Sequence, residues 1–310
     1  MRDCCGKSAI LESCARVCNH AFLLLVAAIS IGMLAGNGYG QGCGVSTPLR
    51  LIDKHGQPVT NVTLDQLRAE VDGKPVKISS LEPATKPGVV VLVDVSSSMQ
   101  KTWTHSITSA RQFVEAAGDN VDLFAFNTGI SAYAVGRSKS EELLDLLLQQ
   151  GAPKPPNGTA LYDALAEVAQ RIKTHNAAIV VVSDGEDNMS HRTSDATASM
   201  FLSYSWPPVF ALILDYEESQ QRREYFKKIP ARTGGLILYP SSPSKVPAAA
   251  KELADVILSP IIVRLDLPRP MTDSAKLRID FLRDGKPSKE IKVLHAAGLT
   301  ACVSHEPTPQ

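Results

Sequence analysis

Gly88-Val-Val-Val-Leu-Val-Asp-Val-Ser-Ser-Ser-Met99 decides how the chain folds. Val89 to Val93 is apolar at every position. That is the pattern of a strand buried on both faces, as in a parallel sheet covered by helices. The run stops at Asp94, and Ser96 and Ser98 follow in the spacing D-x-S-x-S. Oxygen-bearing side chains just past the carboxyl end of a strand stand where open α/β sheets place their ligand sites.

Outward from this stretch, strand and helix patterns alternate to about residue 259. Thr104–Ala117 reads as a helix with Ile107, Ala110, Val114 and Ala117 on one face. Val121–Phe126 reads as a strand and Ile130–Val135 as its edge neighbour. Ser140–Gln149 is a leucine-rich helix, broken by Pro153, Pro155 and Pro156. Thr159–Thr174 is helical again. Ala178–Ser183 is a second fully apolar strand, ending at Asp184. Ser194–Ser203, Val209–Leu214, Glu217–Ile229, Leu236–Tyr239 and Ser244–Leu258 continue the alternation. The prediction is an α/β fold with a doubly wound, mostly parallel sheet and helices on both faces.

On such a sheet three loops share one edge: the one after Asp94, the one at Asn157-Gly158-Thr159, and the one at Asp184-Gly185-Glu186-Asp187. Each alone is ordinary. Asp94 or Thr159 can cap a helix, Asp184-Gly185 can be a turn, and Asp187 can support the site from behind its ligands but reads first as a solvated loop acid. Jointly, Asp94, Ser96, Ser98, Thr159 and Asp184 resemble, in order and spacing, the metal-ion-dependent adhesion site of the von Willebrand factor type A (VWA) domain. The resemblance implies a Rossmann-like VWA fold and a divalent cation, Mg²⁺ first, with Mn²⁺ or Ca²⁺ as alternatives. It implies that Ser96, Ser98 and Thr159 touch the metal while the two aspartates act partly through water. Hard oxygen donors suit such an ion. Neutral hydroxyls leave it positive charge that the acidic side chain of a partner protein can meet. Asp53-Lys-His-Gly-Gln-Pro-Val-Thr60, Val71-Asp-Gly-Lys-Pro75, Gly158-Thr-Ala-Leu-Tyr-Asp-Ala-Leu165 and Ser183-Asp-Gly-Glu-Asp-Asn188 resemble a bacterial exported family of VWA-related proteins. That likeness implies export and a β flank.

Four segments are expected. Residues 1–40 have the order of a secretory signal: Arg2, Lys7 and Arg16, an apolar run from Ala21 to Leu34, then small residues to Gly40. The run is shorter than the roughly 20 residues a spanning helix needs. Cleavage is therefore favoured, with membrane contact only through an uncleaved leader. Residues 41–86 and 260–310 are β segments on either side of a VWA domain at 87–259. Both carry Asp-Gly-Lys-Pro, at Asp72 and at Asp284, between alternating runs. Asp-Gly there is a hairpin signal, because a type I′ turn needs positive φ at both central residues. The second hairpin is expected to return over Lys289–Leu294. Isolated hairpins are marginal in water, so the two flanks are expected to pack as one β-module. Cys43 and Cys302 would bridge its base or remain free thiols.

Lys+Arg and Asp+Glu are 32 each, so nothing electrostatic points to nucleic acid. No G-x-S-x-G elbow and no H-E-x-x-H motif occurs. The expectation is a secreted or periplasmic, metal-dependent protein-binding module for adhesion or envelope assembly, not an enzyme, with no small-molecule substrate. The alternatives are a structural envelope component stabilised by its metal, and a hydrolase built on Ser98, His105 and Asp94. Met99–Thr104, Ser131–Arg137 and Met189–Arg192 are expected to surround the site as recognition surface.

Overall fold

The computed structural model describes residues 43–155, 157–172, 176–215, 220–267 and 275–299, with backbone alone at 220–225. The leader expected at 1–40 and Cys302 lie outside the described residues. In chain order the strands are β1 (Cys43–Ile52), β2 (Leu67–Val71), β3 (Lys74–Pro83), β4 (Gly88–Asp94), β5 (Val121–Phe126), β6 (Ile130–Val135), β7 (Ala177–Ser183), β8 (Val209–Ile213), β9 (Ile237–Leu238), β10 (Ile261–Leu267), β11 (Leu277–Arg283), β12 (Lys286–Pro287) and β13 (Lys292–Leu294). The helices are α1 (Trp103–Ala117), α2 (Arg137–Gln150), α3 (Leu161–Arg171), α4 (Ser194–Ser203), α5 (Gln220–Thr233) and α6 (Val246–Ile257). No helix among the described residues is long and apolar enough to cross a membrane.

The central sheet has the order β6-β5-β4-β7-β8-β9. All its pairings are parallel except β5 with β6. The unbroken apolar run of β4 follows from its place in the middle. Val89, Val91 and Val93 face a core shared with α1, α2 and α6. Val90 and Leu92 face a second core shared with α3, α4 and α5. A strand with period-two side chains and a helix layer on each side has no polar face to show. α3 begins at Leu161, two residues later than its periodicity suggests. The carbonyl of Thr159 instead accepts the amides of Asn188 and Met189, both at 3.0 Å, so Thr159 serves the loop and not the helix.

The flanks interleave into one antiparallel sheet of order β12-β11-β2-β3-β10-β1-β13. Neither flank could form it alone. β10, from the far end of the chain, lies between β1 and β3, and β2 lies between β3 and β11. Both Asp-Gly turns take positive φ at both residues: 49° and 74° at Asp72-Gly73, 51° and 72° at Asp284-Gly285. The return of the second hairpin differs from expectation. β11 pairs after its turn with Lys286–Pro287 only, and Lys292–Leu294 leaves to pair with Arg50–Ile52. The crossing buries Leu294 in the α/β core beside Ile52. The outer edge beyond β11 offers no such burial, and that gain decides the route. Cys43 is disulfide-bonded.

β1 joins the two sheets because both of its faces are covered. Leu49 and Leu51 enter the β-module core, and Ile52 enters the α/β core. Arg50, also buried, donates from Nε and Nη2 to the carbonyl of Ile257, at 3.3 and 3.1 Å, and lies 5.0 Å from the centre of the Phe210 ring. It caps the carboxyl end of α6, where the helix dipole favours a cation. Burial pulls its pKa down to about 10. Arg50→Met keeps the volume but strips the buried Ile257 carbonyl of its donor. A loss of about 2 kcal/mol is expected in urea unfolding, from a hydrogen bond to a charged group.

Candidate metal centre

Asp94 ends β4 at the centre of the sheet, and its carboxylate is held from two sides. Oδ1 accepts the amide of Ser96 at 2.8 Å, and Oδ2 accepts the hydroxyl of Ser183 at 2.7 Å. Ser183 Oγ in turn accepts the amide of Gly185 at 2.9 Å. The ends of the two adjacent strands β4 and β7 are thus tied through one serine. Ser96 Oγ and Ser98 Oγ are 3.0 Å apart. Asp184 Oδ1 accepts the amide of Glu186 at 3.0 Å. Asp94, Ser96, Thr159 and Asp184 are buried, while Ser98 is exposed at the rim.

The third loop is brought in by direct hydrogen bonds. Thr159 N donates to Asn188 Oδ1 at 2.9 Å, and Ser97 Oγ donates to the carbonyl of Asn157 at 2.7 Å. Asp187 is not a solvated loop acid. Its Oδ2 accepts the amide of Tyr162 at 3.0 Å and the hydroxyl of Ser190 at 2.6 Å, so it caps α3 from a distant loop. Ser183, Asp187 and Asn188 position the site; the sequence marks them only as members of the Ser183–Asn188 motif and not by these roles, because their partners lie 25 to 89 residues away. The expected recognition surface is also corrected. Met99, Thr102 and Trp103 are buried where the turn at the serines leads into α1. Met189 is exposed beside the loops, and Tyr133 and Val135 are exposed on the edge strand β6. Among the described residues no hydrogen bond joins His105 to Ser98 or Asp94, the contacts a hydrolytic triad would use.

The electrostatics ask for a cation. Burial, and after it the charge of Asp184, pushes the Asp94 carboxyl up to about 7 against the hydrogen bonds that favour its ionised form. Among the described residues neither aspartate has an ion-pair partner. Two buried carboxylates that repel one another are relieved by a positive ion between them. Nearby donors are hydroxyl oxygens, and among the described residues no group of three or more His, Cys, Asp or Glu side chains is placed to hold a metal. A small hard divalent cation fits this donor set; a soft metal that needs thiolate or imidazole does not.

Asp163, in the first turn of α3, ties that helix to the loop at His191 and Arg192. Its Oδ2 accepts His191 N at 2.8 Å and its Oδ1 accepts Arg192 Nη1 at 2.8 Å. Burial pushes the carboxyl up, but these bonds from His191 and Arg192 outweigh it and hold the pKa at about 2. The folded value lies below the unfolded one of about 3.9, so the stabilisation is complete above the unfolded value. It is lost as pH falls through the folded value. The gap in urea midpoint between wild type and Asp163→Asn is therefore expected to be constant at neutral pH and to close between about pH 4 and pH 2. A gap unchanged across that window would show that the ion pair contributes nothing.

Residues 55–202, just under half of the chain, match the family described as VWA domain containing CoxE-like protein. The matched stretch includes all five residues of the site. No curated protein matches the chain. Among solved structures, an aerotolerance-related membrane protein from Bacteroides fragilis is 18% identical, over 55% of this chain and 97% of that one, with a TM-score of 0.42. A von Willebrand factor type A protein from Catenulispora acidiphila is 9% identical, over 83% of this chain and 75% of that one, with a TM-score of 0.45. Proximal thread matrix protein 1 from the mussel byssus, with zinc in its MIDAS motif, is 16% identical over 57% of this chain and 49% of that one, with a TM-score of 0.40.

Proposed function

We propose that the VWA domain carried by this chain is an exported protein-binding module that grips the acidic side chain of a partner through a divalent cation. Ser96, Ser98 and Thr159 would hold the ion by their hydroxyls, and Asp94 and Asp184 would hold it from below, partly through water. Mg²⁺ is the first choice for hard oxygen donors, with Mn²⁺ or Ca²⁺ next. The bound ion supplies a positive centre with room for one more oxygen. Adhesion or assembly in the cell envelope is the setting, reached through the leader at 1–40.

One observation carries this reading: Asp94 and Asp184 are buried carboxylates whose charges oppose one another at the ends of adjacent strands, Ser96 N donates to Asp94, and Ser96 Oγ lies 3.0 Å from the exposed Ser98 Oγ. The pair draws the cation in, and the hydroxyls leave its charge uncompensated toward solvent. A purely stabilising metal fits less well. The three loops are already tied by Ser97 to Asn157, Asn188 to Thr159 and Asp187 to Tyr162. A site held in shape by protein bonds has its ion to spare for a partner. No catalytic role is proposed.

The test is crosslinking of the exported fraction in Mg²⁺ and in chelator. Partners are expected in Mg²⁺ only, and Ser96→Ala is expected to lose them. Capture that survives both the chelator and the substitution would overturn the metal bridge.

A further inference from the structure

One cavity has none of the five candidate metal-site residues in its lining. It has a volume of about 430 Å³ and is formed by the last turn of α5, the loop into β9, and β13. The loop at Gly235 packs on the carbonyl of Val209, at the amino end of β8. Asp94 ends β4 and Asp184 follows β7, and both strands run parallel to β8. The cavity therefore opens toward the opposite end of the sheet.

Its floor is apolar: Pro230, Leu236, Ile237 and Leu294, with Ala231 at the mouth. Its rim carries Lys227 and Lys292. Both sheets end here, since β9 is the last strand of one and β13 the last strand of the other. Each leaves a row of peptide groups that its own sheet does not use. The volume is that of a small-molecule site, and apolar walls with a few convergent polar groups are the usual make-up of one.

We infer that this cavity binds a compact amphipathic carboxylate, with the hydrocarbon chain on the Pro230–Leu294 floor and the carboxylate at Lys292. Among the described residues Lys292 forms no ion pair. Lys292 stands on the exposed rim, and partial burial, with after it the charge of Lys227, pulls its pKa down, a direction that a nearby anion would oppose. A neutral apolar ligand would fill the floor and leave that charge unanswered. An anion without a chain would answer the charge and leave the floor wet. The ligand that meets both is fatty-acid-like.

Isothermal titration of octanoate into the full chain, in chelator so that the metal centre plays no part, tests this. One saturable site is expected, at least tenfold tighter than for octanol or acetate. Lys292→Glu is expected to weaken octanoate at least tenfold with the thermal midpoint unchanged. Ala231→Trp, from an exposed helix position, is expected to block the mouth and abolish binding. If Lys292→Glu fails to fold, Lys292→Gln is read against the same threshold. The site is overturned if octanoate shows no saturable binding, if octanol binds equally well, or if folded Lys292 variants bind as wild type does.

Discussion

Asp94→Asn is expected to abolish the response of the thermal midpoint to Mg²⁺ and, in chelator, to leave the protein no less stable than wild type. Both halves follow from the same geometry. The amide keeps an oxygen for Ser96 N and offers a donor to Ser183 Oγ, so the bonds at 2.8 and 2.7 Å have counterparts. What disappears is the charge that burial and Asp184 oppose. Without the ion, the neutral side chain is the easier one to bury. With the proposed ion bound, wild type would gain and the variant would not. At a hundredfold excess over the dissociation constant the gain is about 2.7 kcal/mol, or roughly 5 °C for a chain of this size. Scanning calorimetry of both proteins, with Mg²⁺ and with chelator, measures the four midpoints. A variant that still responds to Mg²⁺, or one that is less stable in chelator, would sink the placement of the ion over Asp94.

Gly235→Ala has the largest expected effect on folding. A Cβ at this position would lie 1.8 Å from the carbonyl oxygen of Val209 and 2.6 Å from its carbon. Those atoms are backbone, and they cannot turn aside as a side chain would. Val209 opens β8, and its amide is held by Thr233 Oγ1 at 3.0 Å. The neighbouring Gly234 has φ +83° and packs on the backbone of His295, so the loop cannot retreat that way either. Either β8 shifts or the loop lifts from the sheet edge. A loss of about 3 kcal/mol or more is expected, at the upper end for overpacking. Equilibrium urea unfolding measures it. A change within about 0.5 kcal/mol, the size of an ordinary surface substitution, would mean that the close approach is not required.

How much of this was legible beforehand can be judged residue by residue. The fully apolar runs at Val89–Val93 and Ala178–Val182 announced buried parallel strands, and the strands are there. Asp72-Gly73 and Asp284-Gly285 announced their turns, because positive φ at both positions is a local demand. The return of the second hairpin was not legible. Lys292–Leu294 has the alternation of a hairpin strand wherever it pairs, and only the α/β core beside Ile52 tells Leu294 where to go. The same holds for Asp187. As one acid in an acidic loop it has no local signal that separates a supporting role from a solvated one, and its role as the cap of α3 exists only because the fold brings Tyr162 to it. Arg50 reads as an ordinary strand cation until α6 and Phe210 close over it.

The sequence by itself determined the fold class and the two turns, which rest on short-range rules, side-chain period and backbone φ. Its resemblance to the VWA adhesion site nominated Asp94, Ser96, Ser98, Thr159 and Asp184. The tertiary structure alone decided the interleaving of the two flanks, the web of Ser183, Asp187 and Asn188 around the candidate site, and the cavity at the opposite end of the sheet. Those depend on contacts between residues far apart in the chain, where the free energy of burial selects among pairings that local pattern leaves equivalent.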